Sequence, residues 1–302
     1  MKQKKLTVTI GIPAHNEEAN IATLLRSLLD QKENVGSLKK IFVYSDASTD
    51  RTVEEVRRIK SRKIELVQTK RRLGKPSITN FFFKQSQTDV VVILDADIEL
   101  KGRTFLDQLI LPIAKKKADL TSAKVMELAP ITFIEKVLRT SMTVKRVAFE
   151  AYLSGNNMYT CHGRARAFSR DFYRNFLANP DVASDDAYSF IMCQQMGYTY
   201  QYAPKAVLLY RLPQTLNDHL RQSTRFFQGQ KQLLRYFPHA VIQKTFYLPT
   251  SLKLRSLFTF AIRYPLSFIA YLAIIAVSKA KSVNSSTHSA KWSVASSSKA
   301  LR

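Results

Sequence analysis

The chain has 302 residues, of which 45% are hydrophobic, so it is long enough to form one large domain or two small ones around a substantial core. Its 47 Lys and Arg residues outnumber its 23 Asp and Glu residues, and the net charge of +24 indicates a polyanionic neighbour. The two cysteines exclude a disulfide-based scaffold and fit a reducing compartment. The basic N-terminus lacks an apolar core of signal-peptide length, so we expect a cytoplasmic protein.

The first third of the chain alternates between strand and helix patterns. Apolar segments predict strands at residues 6–12, 40–44, 64–68 and 90–94, and helical periodicity predicts helices at 17–29, 53–59 and 77–85. This alternation predicts parallel strand pairing with right-handed crossovers. In such a sheet, ligand-binding groups are expected in the turns that follow the strands.

Two carboxylates, Asp95 and Asp97, follow directly after the apolar strand at residues 90–94. Carboxylate oxygens suit Mg²⁺ or Mn²⁺, and such ions usually bind one or two carboxylates together with substrate phosphates. A strand followed by an acidic turn would place the same residues there, so this motif alone does not decide. The chain has no Gly-x-Gly-x-x-Gly and no Gly-Lys-Ser/Thr loop, so the dinucleotide-binding and P-loop classes lack their defining residues.

Several motifs, in a fixed order between residues 6 and 232, together resemble those of family 2 glycosyltransferases, which have the nucleotide-sugar-binding GT-A fold. They are residues 12–18 (IPAHNEE), 46–52 (DASTDRT), Gly74 and Lys75 with Asn80, 95–97 (DAD), 163–170 (GRARAFSR), 184–186 (SDD) and 222–226 (QSTRF). Each motif is weak by itself, but their order makes the resemblance specific.

The resemblance implies an α/β fold with a mostly parallel mixed sheet flanked by helices, and an inverting, metal-dependent sugar transfer. It implies a GT-A domain at residues 1–232, with a nucleotide-sugar-binding half at 1–100 and an acceptor half at 101–232. The implied donor-binding residues are Pro13, Ala14, Glu17, Asp46, Lys75, Asp95, Ala96 and Arg225. The implied acceptor-binding residues are Gly163, Asp185, Gln222 and Phe226. Asp97 and Asp95 would hold the Mg²⁺ or Mn²⁺ ion, and Asp186 would be the general base.

Simpler interpretations exist for some of these residues. Asp46 lies in a Ser/Asp/Thr cluster that is also typical of an Asx-turn. Asp185 and Asp186 after Ser184 are typical of a helix N-terminus, where acids stabilise the helix dipole. The chain also departs from the family pattern, because Asp185 stands in place of Glu and Phe226 in place of Trp. Phe keeps a stacking face but has no indole N–H, so the length of the product stays open.

The last third of the chain indicates a membrane. Segments 133–153 and 216–237 read as basic amphipathic helices, and segment 256–278 is nearly apolar, with Arg263 and Pro265 near its middle. We expect a membrane-associated or membrane-spanning segment at 233–278, kinked at this interruption, and a disordered basic tail at 279–302. An anionic membrane surface would account for the charge, and no recognisable nucleic-acid-binding module is present.

The sequence therefore predicts transfer of a sugar from a nucleotide-diphosphate sugar, a UDP-sugar by preference, to a lipid-linked or polysaccharide acceptor. The transferred group would be a hexosyl or N-acetylhexosaminyl unit, and the protein would lie at the cytoplasmic face of the cell membrane. Two alternatives stay open: a metal-dependent nucleotidyltransferase, although its arginine-rich glycine loop is missing, and a non-catalytic basic membrane-binding protein on the same scaffold.

Overall fold

The computed structural model describes residues 4–283 together with Lys299 and Leu301. Its strands are β1 (Leu6–Ala14), β2 (Gly36–Asp46), β3 (Ile64–Thr69), β4 (Val90–Leu94), β5 (Glu99–Leu100), β6 (Leu120–Glu127), β7 (Ala165–Ser169) and β8 (Tyr200–Tyr210). They form one mixed sheet in the order β3-β2-β1-β4-β7-β6-β8-β5. β1 pairs in parallel with β2 and β4, and β2 pairs in parallel with β3, as the alternating pattern predicts.

The helices cover both faces of this sheet and then extend beyond it. They are α1 (Ile21–Leu29), α2 (Thr52–Arg58), α3 (Lys75–Gln85), α4 (Phe105–Ala114), α5 (Phe133–Ala151), α6 (Arg170–Asn175), α7 (Asp185–Gln195), α8 (Leu216–Leu233), α9 (His239–Thr245), α10 (Thr250–Arg263) and α11 (Pro265–Val283). Two short 3₁₀ turns, Tyr152–Gly155 and Met158–Thr160, link α5 to β7.

The central strand β4 is apolar at every position and ends directly before the two carboxylates. Its five residues are all fully buried, because helices pack on both sides of the sheet. Val90, Val92 and Leu94 belong to the core under α1 and α4, whereas Val91 and Ile93 belong to the core under α3, α6 and α7. A shift of one residue would exchange the side chains that pack in these two cores, and Asp95 and Asp97 follow at the carboxyl end of the strand.

A close contact holds α3 against the sheet. An added Cβ at Gly11 on β1 would lie 2.2 Å from the buried ring of Phe82 on α3, so the glycine is required for this approach. Because α3 begins at Lys75, the contact also fixes the position of that residue at the edge of the sheet.

The mixed character of the sheet begins at β7, which pairs antiparallel with both β4 and β6. The strands predicted from the sequence lie in the first third of the chain and do not include β7. The first helix also differs from the prediction, because it begins at Ile21 and not at Glu17. Asn16 adopts a φ of 55°, and the backbone N–H of Glu17 donates to Thr52 Oγ1 at 2.7 Å, so Glu17 lies in a turn.

The helices α10 and α11 pack on α5, and α11 also contacts α8. The predicted interruption of segment 256–278 is present, since α10 ends at Arg263 and α11 begins at Pro265. Within residues 4–283, no helix is both long enough and apolar enough to cross a bilayer. The predicted disordered tail lies outside the described residues, apart from the end of α11, Lys299 and Leu301.

Candidate active site

Four chain segments meet at the carboxyl end of β4. Lys75 Nζ donates to Asp95 Oδ1 at 2.5 Å and to the carbonyl oxygen of Gly163 at 2.8 Å. A methyl group at Gly163 would lie 3.5 Å from Asp186 Oδ2, 3.6 Å from Lys75 Nζ and 3.7 Å from Asp185 Oδ1. The structure therefore brings together the predicted residues of the Gly-Lys, Asp-x-Asp, glycine-led and Ser-Asp-Asp motifs.

Asp95 and Asp97 face an arginine that the sequence did not single out. Arg164 Nη1 lies 3.3 Å from Asp97 Oδ1 and 4.0 Å from Asp95 Oδ2, and its guanidinium stacks 4.0 Å from the ring centroid of Tyr210. The two carboxylate side chains are 23% and 25% exposed, so they remain accessible. Carboxylate oxygens are hard donors, and two accessible carboxylates two residues apart fit Mg²⁺ or Mn²⁺ shared with a diphosphate. Among the described residues no third His, Cys, Asp or Glu completes a metal cluster.

The start of α7 holds the two adjacent acids in different environments. Arg166 on β7 is 1% exposed, and its guanidinium donates to the Asp185 carbonyl at 2.9 Å, to the Asp185 carboxylate, and to Ser189 Oγ at 2.6 Å. Asp186 is half-buried, and its Oδ1 accepts from the backbone N–H of Ala187 at 2.8 Å. Asp185 is thus held in an ion pair, whereas the other carboxylate oxygen of Asp186 faces Gly163.

These environments separate the proton affinities of the two acids. Burial raises the pKa of Asp186, and the neighbouring charge of Asp185 raises it further. Burial alone would also raise the pKa of Asp185, but Arg166 and Lys75 outweigh it and lower that pKa. A pair of acids with opposite pKa shifts is typical of a site where one group carries charge and the other transfers a proton.

Asp46, predicted to bind the donor, organises the loop before Lys75. Its carboxylate accepts from the backbone N–H of Leu73 at 2.7 Å and of Gly74 at 3.1 Å, and from Arg72 Nε at 3.1 Å. The next residue, Ala47, adopts a φ of 54°, a strained conformation for a residue with a side chain. Asp46 therefore holds the loop that delivers Lys75, and its contact with a donor stays a prediction.

Glu17 is in contact with a residue from the far end of the chain. Lys299 Nζ donates to the Glu17 carboxylate, to the carbonyl of His15, and to the carbonyl of Asn16 at 2.8 Å. Burial raises the pKa of Glu17 to about 7, with a further contribution from Asp97, while Lys299 opposes the rise. The carbonyl of Leu301 accepts from Arg211 Nη2 at 2.6 Å.

α8 carries the Gln-x-x-Arg motif to the same site. Gln232 joins α8 to the loop before Asp186, since its Oε1 accepts from Ala183 N and its Nε2 donates to the Asp181 carbonyl, both at 2.8 Å. Burial and the charge of Arg164 lower the pKa of Arg225, and the nearby site carboxylates oppose this shift. Arg225 therefore lies close to the acids of the site.

The remaining predicted site residues differ in exposure. Ala14 and Ala96 are buried, Pro13 and Gln222 are half-buried, and Phe226 is 56% exposed. The exposed ring of Phe226 is therefore accessible for stacking, whereas Ala14 and Ala96 reach a ligand chiefly through their backbone. The residues that sequence reasoning missed are Arg164, Arg166 and Lys299. The first two lie in the glycine-led motif that was noted, but no pattern distinguished them from other basic residues.

The fold is also found in solved nucleotide-sugar enzymes. "Mannosyltransferase PcManGT from Pyrobaculum calidifontis in complex with GDP-Man and Mn2+" superposes with a TM-score of 0.62 at 20% identity, covering 93% of this chain and 84% of that one. Glucosyl-3-phosphoglycerate synthase from Mycobacterium tuberculosis, in complex with Mn²⁺, UDP and glucosyl-3-phosphoglycerate, gives a TM-score of 0.54 at 18% identity, covering 76% of this chain and 80% of that one. These likenesses define the class by its fold, which is GT-A.

Sequence comparison gives the family. The profile of "Glycosyl transferase family 2" matches residues 9–177, more than half of the chain, and the chain belongs to that family. "Probable glycosyltransferase YdaM" of Bacillus subtilis (strain 168) is 26% identical over 241 residues, which cover 76% of this chain and 56% of that protein. The chain thus spans little more than half the length of this relative.

A second kind of relative matches over a shorter stretch. "Undecaprenyl-phosphate 4-deoxy-4-formamido-L-arabinose transferase" of Pectobacterium carotovorum subsp. carotovorum (strain PC1) is 32% identical over 95 residues, covering 30% of this chain and 29% of that protein. The predicted family and fold are confirmed, since the chain belongs to glycosyl transferase family 2 and has the GT-A fold.

Proposed function

We propose that this glycosyltransferase moves a hexosyl or N-acetylhexosaminyl unit from a UDP-sugar to a lipid-linked or polysaccharide acceptor, with inversion at the anomeric carbon. The observation that carries the proposal is the Asp186 carboxylate, which is half-buried, has a raised pKa and faces Gly163. Such a carboxylate can accept a proton from an acceptor hydroxyl near neutral pH.

In the proposed reaction Asp186 accepts the proton of the acceptor hydroxyl as that oxygen attacks the anomeric carbon. The new carbon–oxygen bond forms as the bond to the diphosphate oxygen breaks, and the nucleoside diphosphate departs with added negative charge. Lys75 and Arg225 are the cations of this chain that would stabilise that charge. Asp185 stays in its ion pair with Arg166 and keeps the start of α7 in place.

Asp95 and Asp97 are the residues that would hold a Mg²⁺ or Mn²⁺ ion, which supplies Lewis-acid stabilisation of the leaving diphosphate. Arg164 lies near both carboxylates, so part of its contact with them would have to be replaced by contacts with the ion. Two structural neighbours were solved in complex with Mn²⁺, which supports this metal assignment.

A membrane location is part of the proposal. Leu254, Leu257, Phe258 and Ile262 lie along one face of α10 and are between 51% and 68% exposed. Large apolar side chains exposed at this spacing are typical of a helix that lies in a bilayer interface. Lys253 on the same helix is exposed and suits anionic headgroups, which favours the cytoplasmic face of the membrane. The lipid-linked acceptor in the name of one relative supports the same location.

A screen of UDP- and GDP-sugars with Mg²⁺ or Mn²⁺ tests the proposal. We expect one nucleotide sugar to stabilise the protein thermally and to be hydrolysed slowly, and Asp186→Asn to lose transfer while keeping nucleotide binding. Asp181→Asn, at an exposed position in the preceding loop, is the matched control and should behave as the wild type. Absence of any response to every nucleotide sugar would refute the donor assignment, and turnover of a nucleoside triphosphate would indicate a nucleotidyltransferase.

A further inference from the structure

A groove of about 380 Å³ lies between α5 and α10, away from the residues of the candidate active site. Its volume is within the usual range for small-molecule pockets. The residues that line this groove, which we call the α5–α10 groove, are Thr143, Val144, Val147, Ala148, Ala151, Leu252, Arg255, Ser256, Thr259, Arg263 and Tyr264.

The two sides of the α5–α10 groove differ in chemistry. The α5 side is almost entirely apolar and includes Val144, Val147 and Ala148. The α10 side has two guanidinium groups, Arg255 and Arg263, with hydroxyl groups between them. Guanidinium and hydroxyl donors together match phosphate oxygens, whereas the opposite side can only pack against hydrocarbon. The ligand that fits both sides is a molecule with a phosphate and an aliphatic chain.

The charge of this region favours an anionic occupant. After Asp218 the chain has thirteen Lys and Arg residues and no Asp or Glu. Arg255 and Arg263 are exposed, and within the described residues neither forms an ion pair with a carboxylate. A phosphate can neutralise such exposed guanidinium groups through charge-assisted hydrogen bonds.

The position of the groove indicates how such a ligand reaches it. α10 also exposes Leu257, Phe258 and Ile262, so the groove adjoins the apolar surface proposed to lie in the bilayer interface. A lipid in that interface can place its chain against α5 without leaving the hydrocarbon, while its phosphate stays at the level of the arginines.

We propose that the α5–α10 groove binds one membrane lipid that carries an anionic phosphate, with the phosphate on Arg255 and Arg263 and the chain against α5. The inference rests on the proposed membrane location and does not depend on the identity of the donor sugar. It assigns to α10 a defined lipid-binding site in addition to general attraction to a charged surface.

The test uses the full-length protein in flotation with phosphatidylcholine vesicles that contain or lack phosphatidic acid. We expect the wild type to bind the phosphatidic acid vesicles and Arg255→Gln/Arg263→Gln to bind them roughly tenfold more weakly, since charge-assisted phosphate contacts are lost. The control Arg57→Gln/Arg62→Gln removes two exposed arginines elsewhere, and it should bind as the wild type. Equal losses in both double variants, or no binding by the wild type, would overturn the proposal.

A second variant distinguishes lipid binding in the α5–α10 groove from attraction between surface charges. Ala151→Leu fills the groove at an exposed position and keeps every charge, so we expect it to release lipid that co-purifies with the wild type, as detected by native mass spectrometry. Wild-type lipid content in this variant would contradict chain insertion. Displacement by inorganic phosphate alone would mean an anion site and not a lipid site. Donor hydrolysis measured without vesicles should be the same in all four proteins, so failure of the groove and failure of the donor assignment are distinguishable.

Discussion

The Glu17→Gln variant should gain stability relative to the wild type as the pH rises. Glu17 is only 8% exposed, and burial is the largest of the causes that raise its pKa from 4.5 to about 7. Since the pKa in the folded state exceeds that in the unfolded chain, the native protein binds the extra proton between these two values. The stability from this group is therefore fully present below pH 4.5 and is lost as the pH rises through about 7.

The size of the effect follows from the two pKa values. The difference between 4.5 and about 7 corresponds to roughly 3 kcal/mol of unfolding free energy. A glutamine at this position does not titrate, so the variant does not lose this stability as the pH rises. The difference in stability between variant and wild type should grow by roughly this amount between about pH 4 and pH 8. The contact with Lys299 lowers the pKa of Glu17 and is already included in the value of about 7, so it adds no separate pH-dependent contribution.

Urea unfolding of both proteins across this pH range provides the measurement. Glu18→Gln is the matched control, since it removes a carboxylate from the neighbouring residue, which lies at the surface with its side chain 39% exposed. A difference between Glu17→Gln and the wild type that stays constant with pH would refute the reasoning. It would mean that Glu17 is charged in the folded protein throughout the range and that its ion pair with Lys299 prevails over burial.

The other predictions concern the acids of the site and their partners. Asp97→Ala should lose metal-dependent nucleotide binding in calorimetry, and unchanged metal affinity would remove the metal assignment. Asp185→Asn should move the acidic limb of the rate–pH profile to lower pH, because it removes the negative charge that helps to raise the pKa of Asp186. An acidic limb at the same pH as in the wild type would show that Asp185 does not affect the pKa of Asp186. Arg166→Met should reduce the unfolding free energy by about 3–5 kcal/mol, since it leaves Asp185 buried without its partner, and a loss below about 1 kcal/mol in urea unfolding would show that the pair is not needed.

The parts of the fold that the sequence predicted are those set by local patterns. The run at β4 is apolar at every position, so it indicated a strand covered on both faces and placed Asp95 and Asp97 at its carboxyl end. The order of short motifs added the family and brought Lys75, Gly163 and Asp186 to one site. These predictions depended on residues that are close together in sequence, or on the order of motifs along the chain, and both can be seen without the three-dimensional structure.

The parts that the sequence did not predict depend on tertiary packing. Arg164 and Arg166 are two of 47 basic residues. The antiparallel pairing of β7 with β4 brings Arg164 beside Asp97, and the packing of α7 against β7 brings Asp185 beside Arg166. The start of α1 at Ile21 depends on Thr52, which is 35 residues away from its partner Glu17 in sequence. Side-chain contacts over such separations leave no periodic signal.

The contact between Lys299 and Glu17 bears on how donor affinity should be measured. A nucleotide that uses Glu17 and the neighbouring carbonyls can bind only to molecules from which the lysine has withdrawn. Its apparent dissociation constant then equals the intrinsic constant divided by the fraction of molecules in that open state. Lys299→Ala would set this fraction to one. The ratio of the dissociation constants of wild type and variant then gives the equilibrium of the contact between Lys299 and Glu17 in the ligand-free protein.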